Sequence, residues 1–342
     1  MKKDIASYFL HEIEAEFAET GQPKYRAAQV YEWLQKGAGS FDEMSNLPKS
    51  IREELSKKFY IFSVKLKKRL KSEIDDTVKY LYELSDGEYI ESVLMHYHHG
   101  YTVCISSQVG CRMGCSFCAS GINGLTRNLT AGEMLAQVRF AAKDNNIRVS
   151  NVVMMGMGEP LDNFDNTIRF LKLVSAQEGL NIGLRHISVS TSGLIPNIKK
   201  FMEYAFPVTL SVSLHAPTNQ IRSEMMKINR TYPIEELLEI CKQYINKTGR
   251  RISFEYALID GVNNSDECAY KLADLLRGML CHVNLIPANP VKENSYTRPN
   301  GKKVKHFCDL MNSLGINTTV RRTLGADINA SCGQLRQKHM NI

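Results

Sequence analysis

Long apolar runs are missing from this sequence, and so are the compositions that mark several other protein classes. No segment approaches the roughly 18 consecutive apolar residues that a membrane span requires, which excludes an integral membrane protein. With 22 glycines and 10 prolines among 342 residues, a collagen-like or low-complexity chain is also excluded. Glu12, Glu14, Glu16 and Glu19 interrupt the stretch that would be apolar in a secretion signal. We therefore expect a globular cytoplasmic protein with no membrane partner.

A disulfide framework is not expected either, although the chain has nine cysteines. An odd number without a secretion signal favours metal binding or redox catalysis. Cys111, Cys115 and Cys118 have C-x3-C-x2-C spacing, and no second C-x2-C or histidine pair follows to complete a zinc site. Three thiolates on a four-iron cluster leave one iron without a protein ligand. That open position indicates catalysis.

Acidic residues are absent from residues 57–71, which contain seven lysines and arginines. This excess equals the net charge of the whole chain, +7. The alternation of apolar and basic residues over 62–71 predicts a half-buried strand with a basic outer face. Two interpretations stay open: contact with phosphates of a polyanion, and a charged sheet edge that prevents aggregation.

The order of patterns along the chain predicts three regions. Helical periodicity, with no strand pattern, predicts an N-terminal helical accessory domain over 1–60. Residues 61–100 are predicted to form a linker with the basic strand and a hairpin of strands 78–84 and 89–95. In 101–342, amphipathic helices separate β-rich runs, which predicts a mainly parallel sheet, doubly wound or a full or partial barrel. These runs lie near 102–106, 151–155, 186–190, 208–213, 251–258, 282–286 and 316–321.

Unusual polar motifs follow the strands at their carboxyl ends. They are the cysteine loop, GMGEP, STSG, LHAP, PANP and a tail with Cys332. In parallel α/β folds this edge of the sheet carries the active site. Motifs spread over more than 200 residues are therefore expected to meet in one cavity.

The cysteine spacing, with Phe117 before the third cysteine, resembles the cluster loop of radical S-adenosylmethionine (SAM) enzymes. Within this superfamily, the sequence most resembles the RlmN-type adenine-C2 RNA methyltransferases, over nearly all of residues 20–338. This resemblance rests on the blocks SSQVGCRMGCSFCASGINGLTRNLT, MGMGEPLDN, SVSTSG, SVSLHAP, RRISFEYALIDGVN, HVNLIPANP and INASCGQLR. The fold that it implies is a partial (β/α)6 radical SAM barrel, preceded by the small helical domain and the strand-rich linker.

The resemblance also implies a set of cofactor ligands. Cys111, Cys115 and Cys118 would hold a [4Fe–4S] cluster whose open iron chelates SAM, and two SAM molecules would be used per turnover. Gly158 and Glu159 match the motif that binds the SAM amino group. Other positions that match SAM contacts are Ser190, Ser213, Leu214, His215 and Asn289.

Two further cysteines receive catalytic roles from the same resemblance. Adenine C2 is electron-poor and does not attack the methyl group of SAM, so a polar one-step transfer fails. In the family, Cys332 carries the methyl group, a radical made from a second SAM activates it, and the methylene adds to C2. Glu91 would take the C2 proton, and Cys104 would attack the sulfur and release the product as a Cys104–Cys332 disulfide.

The resemblance implies two partners, RNA and an electron donor, and it implies that the N-terminal helical domain over 1–60 binds RNA. We expect 23S rRNA, before full ribosome assembly, as a substrate, together with tRNA. The target base must leave its stack, and the basic residues, with Arg321 and Arg322, would contact phosphates. Flavodoxin or ferredoxin would supply electrons to a monomeric enzyme. Two alternatives stay open: a Cfr-type adenine-C8 methyltransferase, which Pro160 disfavours, and a noncatalytic RNA-binding protein with zinc.

Overall fold

Strands and helices alternate through most of the chain. The computed structural model describes residues 2–289, 291 and 294–335. The strands are β1 (Lys3–Asp4), β2 (Phe59–Tyr60), β3 (Lys65–Lys71), β4 (Val78–Glu83), β5 (Tyr89–Tyr97), β6 (Gly100–Cys104), β7 (Gln108–Gly110), β8 (Leu125–Asn128), β9 (Val149–Met154), β10 (Ile187–Thr191), β11 (Thr209–Ser213), β12 (Ile252–Leu258), β13 (Cys281–Pro287) and β14 (Thr318–Val320). The helices are α1 (Leu10–Glu19), α2 (Lys24–Gln35), α3 (Lys49–Lys58), α4 (Ala131–Asn145), α5 (Phe164–Ser175), α6 (Ile195–Met202), α7 (Asn219–Met225), α8 (Ile234–Thr248), α9 (Asp266–Leu276) and α10 (Gly301–Ser313).

One ten-stranded sheet runs in the order β14-β13-β12-β11-β10-β9-β6-β5-β4-β3. From β6 to β14 neighbouring strands are parallel, whereas β5, β4 and β3 continue the sheet antiparallel. A helix follows each of β6, β9, β10, β11, β12 and β13, which gives six strand–helix units and a seventh strand, β14. Since β14 and β3 are the two ends of the sheet, the barrel is partial. This confirms the predicted α/β fold with a partial (β/α)6 barrel.

The N-terminal helices α1, α2 and α3 enclose an apolar core of their own, separate from that of the barrel. The prediction of no strand in this region is wrong, because β1 pairs in parallel with β2. Each has only two residues, too few for an alternating pattern to show in the sequence. Asp4 accepts hydrogen bonds from the amides of Ala6 (3.1 Å) and Phe62 (3.2 Å), which ties this pairing to the start of the linker.

The basic strand differs from its prediction. β3 begins at Lys65 rather than at residue 62, and its register against β4 shifts between Leu66 and Lys68. This irregularity breaks the predicted alternation, so that most of the strand, including Leu66, is exposed instead of half-buried. Part of its charge is neutralised: Lys67 pairs with Glu83 at 2.9 Å. The predicted hairpin is confirmed as β4 and β5.

No helix in the described ranges is both long enough and apolar enough to cross a membrane.

Candidate active site

A cavity at the carboxyl edge of the parallel strands brings most of the predicted site residues together. Loops that follow seven different strands contribute to it. The predicted residues that line it are Cys111, Cys115, Cys118, Gly158, Glu159, Ser190, Ser213, His215, Asn289 and Cys332. Of the other three, Leu214 is fully buried behind the wall, Cys104 lines an adjoining cavity, and Glu91 lies beyond the linings of both.

The cysteine loop lies inside the short hairpin of β7 and β8. The amide of Cys111 donates to the carbonyl of Gly124 (2.8 Å), and the amide of Cys118 donates to that of Cys115 (3.1 Å). Burial, with smaller contributions from Glu159 and Cys118, raises the pKa of the Cys111 thiol to about 12. The three thiols are thus close enough to interact, and they face an environment that disfavours free thiolates.

The donor set of this loop fits an iron–sulfur cluster. Cysteine thiolates are the usual ligands of such clusters, and bound iron supplies the positive charge that thiolates need in a buried place. Within 2–289, 291 and 294–335, no group of three His, Cys, Asp or Glu side chains is gathered closely enough to hold a single metal ion. The fit of this loop to a cluster therefore rests on the chemistry of its three cysteine thiols.

Glu159 is a buried carboxylate in the loop that follows β9. Its Oε2 accepts from the amide of Ser192 (2.7 Å), and its Oε1 accepts from the amide of Leu161 (3.1 Å). Burial raises the pKa of Glu159, and these hydrogen bonds oppose the shift. Each oxygen keeps capacity for another donor, such as an ammonium group. Gly158, at φ 104°, leaves no space for a side chain, because a Cβ would come within 2.6 Å of Gln108 Cβ.

His215 is held as a neutral imidazole in the wall of the cavity. Its backbone has φ 58°, and its Nδ1 accepts from the amide of Ala257 (2.8 Å). This hydrogen bond assigns the ring proton to Nε2. Burial lowers the pKa of His215 to about 3, with a contribution from Arg222, and the ring of Phe117 packs edge-on at 4.8 Å.

A second cavity contains both of the other predicted reactive cysteines, Cys104 and Cys332. Met155, Asn289, Arg321 and Cys332 are among the residues that line both cavities, so the two spaces adjoin. Asn289 Nδ2 donates to the carbonyl of Cys332 at 3.1 Å. Burial raises the pKa of Cys104 to about 12; Cys332 adds to the shift and Arg321 opposes it. The structure therefore places the two thiols in one compartment beside the cysteine loop.

Glu91 is connected to this compartment through Lys79, which the sequence analysis missed. Lys79 Nζ lies 2.9 Å from Glu91 Oε1, and both side chains are buried. Lys79 Nζ also donates to the carbonyl of Asn329 (3.0 Å), three residues before Cys332. Strand register places Lys79 opposite Val93, and Val93 opposite Cys104, so these side chains share one face of the sheet with Glu91. The only sequence signal was a lysine near the start of a mostly apolar strand.

Glu255 and Arg321 also line the first cavity and were not predicted to do so. Glu255 accepts from Asn284 Nδ2 (2.7 Å) and lies 3.9 Å from Arg321, and burial raises its pKa. A lone acid in the apolar run ISFEYAL could have indicated it. The prediction that Arg321 contacts RNA phosphates does not fit its position, because its side chain is largely buried. The reason is that β14 ends at Val320, so Arg321 lies at the sheet edge that carries the site. Arg322 is exposed.

Comparison with known proteins gives the same picture over the whole chain. Residues 105–273 match the radical SAM superfamily, and residues 4–61 match the ribosomal RNA large subunit methyltransferase N-terminal domain. The chain is 52% identical over 339 residues to a probable dual-specificity RNA methyltransferase RlmN of Alkaliphilus oremlandii, covering 99% of both chains. It is 49% identical to a protein of the same description from Clostridium novyi, again with 99% of both covered.

A solved structure extends this likeness to three dimensions. The crystal structure of a radical SAM methyltransferase from Sphaerobacter thermophilus has a TM-score of 0.94 and 46% sequence identity, covering 98% of this chain and 100% of the other. Full-length similarity at this level includes the cysteine loop, the barrel and the N-terminal helices together. The chain belongs to the RlmN family of radical SAM RNA methyltransferases.

Proposed function

We propose that this enzyme methylates C2 of an adenosine in 23S rRNA and in tRNA, and that Cys332 and Cys104 carry out the transfer between them. The observation that carries the proposal is the compartment shared by these two thiols, next to the cavity with the cysteine loop. An electron-poor carbon such as C2 needs a carbon radical, and a carrier that bonds to the base needs a second thiol for release. The curated relatives are described as dual-specificity enzymes, which supports two RNA substrates.

Cys111, Cys115 and Cys118 hold the [4Fe–4S] cluster in this proposal. With SAM, the bound cluster supplies a 5′-deoxyadenosyl radical. Glu159 accepts hydrogen bonds from the amino group of SAM, and Gly158 keeps the loop open for it. The remaining SAM contacts are assigned to Ser190, Ser213, Leu214, His215 and Asn289. His215 takes part as a neutral donor through Nε2, since its pKa lies far below neutral pH.

Cys332 accepts a methyl group as a thiolate and presents it as a thioether. Once the methylene has bonded to C2, the adduct must lose the C2 proton and one electron, which the cluster would accept. Cys104 then attacks the sulfur of Cys332 as a thiolate. The S–S bond forms, the bond between sulfur and methylene breaks, and its electron pair stays with the carbon, which takes up a proton to become the methyl group. Arg321, between the two compartments, opposes the rise in the pKa of Cys104 and so favours its thiolate.

Glu91 removes the C2 proton as a general base. Its carboxylate is buried, and its Oε1 lies 2.9 Å from Lys79 Nζ. Lys79 also holds Asn329, so one ammonium group links the base to the loop that carries the methyl group.

RNA reaches the site as an unstacked base. The exposed lysines of β3 and Arg322 are proposed to contact phosphates, which supply most of the sequence-independent affinity. The N-terminal helices are proposed to extend this surface, because residues 4–61 match a domain of rRNA methyltransferases. We further propose a cytoplasmic monomer that acts before full ribosome assembly and receives electrons from flavodoxin or ferredoxin.

The direct test of this function is an anaerobic assay with SAM, a reductant and protein-free 23S rRNA. Nuclease digestion and mass spectrometry with authentic standards would identify the methyladenosine isomer. We expect 2-methyladenosine in rRNA and, in a parallel reaction, in tRNA. An 8-methyladenosine product would show Cfr-type regiochemistry, and zinc without iron or sulfide in anaerobically prepared protein would contradict the proposal altogether.

A further inference from the structure

Arg222, in α7, is a fully buried cation beside the active site. It donates hydrogen bonds to five neutral oxygens: the carbonyls of Ser192 (2.8 Å), Ser213 (3.1 Å), Leu214 (3.2 Å) and Tyr232 (3.4 Å), and Asn229 Oδ1 (2.9 Å). A guanidinium held only by neutral groups in a protein interior is costly, because none of these partners cancels its charge. Such a group is expected where a negative charge arrives later.

The hydrogen bonds of Arg222 join the ends of two neighbouring strands. Ser192 follows β10, and its amide donates to Glu159 Oε2, whereas Ser213 and Leu214 lie at the end of β11. One guanidinium therefore fixes both segments that carry proposed SAM contacts. The backbone is shaped around it: Gly193 has φ 108°, and a Cβ there would come within 3.3 Å of Arg222 Nη2.

The same helix packs against the cysteine loop. The amide of Ser116 donates to the carbonyl of Met225 (2.9 Å), and Cys115 lies in a small apolar cluster with Met225 and Met226. Burial lowers the pKa of Arg222 to about 10, and the nearby Cys115 opposes that shift. The uncompensated positive charge is therefore close to one of the proposed cluster ligands, inside an apolar layer where charges are weakly screened.

We propose that Arg222 is a positioning residue for the cofactors. Its five-donor fork holds the β10 and β11 segments in the conformation that binds SAM, and its charge offsets the negative charge of the thiolate-bound cluster. The inference rests on the proposed role of Cys111, Cys115 and Cys118 as cluster ligands. A nearby cation stabilises the extra electron of a reduced cluster, so removing the charge lowers the reduction potential.

Two substitutions of Arg222 distinguish the effect of its hydrogen-bonding fork from the effect of its positive charge. Arg222→Gln removes both, whereas Arg222→Lys keeps a cation without the planar fork. Arg139→Gln is the matched control: Arg139 is also buried, donates to the neutral Gln35 Oε1 (3.0 Å), has its pKa lowered to about 10 by burial, and lines neither active-site cavity. The readouts are the midpoint potential of the reconstituted cluster, followed by electron paramagnetic resonance, and the dissociation constant for SAM.

We expect Arg222→Gln to lower the midpoint potential and to weaken SAM binding by about 10- to 100-fold. Arg222→Lys should keep the potential of the wild type and weaken SAM binding, and Arg139→Gln should change neither. Wild-type SAM affinity in Arg222→Lys would overturn the role of the fork, even if Arg222→Gln does not fold. A potential that falls equally in Arg222→Lys and Arg222→Gln, or in Arg139→Gln, would overturn the role of the charge. Wild-type protein without iron would instead refute the proposed function.

Discussion

The cysteine loop and the Cys332 loop present thiols to the same cavity, but different parts of the chain hold them. The cysteine loop is closed by its own hairpin, as in the hydrogen bond from the amide of Cys111 to the carbonyl of Gly124, although it also contacts α7 and the Cys332 loop, where the amide of Ala119 donates to the carbonyl of Gly333 (2.8 Å). The Cys332 loop is held by hydrogen bonds from residues that are distant in sequence. Ser72 donates to Asp327 (2.7 Å), Lys79 to the carbonyl of Asn329 (3.0 Å) and Asn289 to the carbonyl of Cys332 (3.1 Å). Local closure suits a fixed cofactor. A loop held by separate long-range contacts suits the proposed role of Cys332, whose thiol would meet SAM, the base and Cys104 in turn.

The largest effects should come from removing one thiol from the cysteine loop or the thiol of Cys332. Cys111→Ala is expected to lose iron and sulfide and all methylation, because the cluster needs three ligands. Cys332→Ala is expected to keep the cluster and to reduce methylation by at least about 1,000-fold, since no carrier remains. Metal analysis and a radiolabelled methyl assay measure the two properties separately.

Cys268→Ala is the control for both variants, because Cys268 is buried in α9 and lines neither cavity. It should keep both iron and methylation. Loss of iron in Cys332→Ala would show that cluster binding depends on the Cys332 side chain, against the division of roles proposed for the two loops.

A second substitution tests how strongly the linker holds the Cys332 loop. Lys79→Met leaves Glu91 buried without its cation, which should lower the free energy of unfolding by about 3–5 kcal/mol. It should also suppress methylation, because the loop loses its tether at Asn329 and the base loses its partner. Guanidinium denaturation of the apoprotein gives the stability directly.

The double variant with Lys79→Met and Glu91→Met separates stability from function. Two apolar side chains of similar volume should restore most of the lost stability, yet methylation should stay low. Recovered methylation would argue against any role for Glu91 and Lys79 in the reaction.

The same contrast explains what the sequence could and could not predict. Cys111, Cys115 and Cys118 are neighbours along the chain, Glu159 follows β9 and Ser190 lies at the end of β10, so spacing and strand order were sufficient to place them at one edge. Lys79 contacts Asn329, which is 250 positions away, so the sequence pattern could not indicate this pairing. The positions of the two-residue strands and of the shifted register in β3 also depend on tertiary pairing.

A smaller effect is expected from one polar contact of the Cys332 loop. Asp327 accepts from Ser72 Oγ (2.7 Å) and from the amide of Glu73 (2.9 Å), and these hydrogen bonds lower its pKa. Asp327→Ala should make Cys332 react with iodoacetamide about 2- to 10-fold faster at neutral pH.

The pH dependence of this contact follows from the lowered pKa. The contribution of the Asp327 hydrogen bonds to the stability of the fold is complete above the ordinary aspartate pKa of about 3.9. It is lost as the pH falls through the lower pKa that Asp327 has in the folded state. At neutral pH the contact is therefore intact. Asp42→Ala, at an exposed acid far from the loop, is the control and should leave the alkylation rate unchanged. An equal rate in wild type and Asp327→Ala would show that this contact does not hold the loop.

The most direct test of the two-thiol account is the fate of Cys104→Ala under turnover with RNA. Without the resolving thiol, the variant should keep its cluster and accumulate a covalent protein–RNA species bonded through Cys332. After nuclease and protease digestion, mass spectrometry should find an adenosine joined by one carbon to the Cys332 peptide. Normal multiple turnover without this adduct would contradict the central claim that Cys332 carries the methyl carbon and Cys104 releases it.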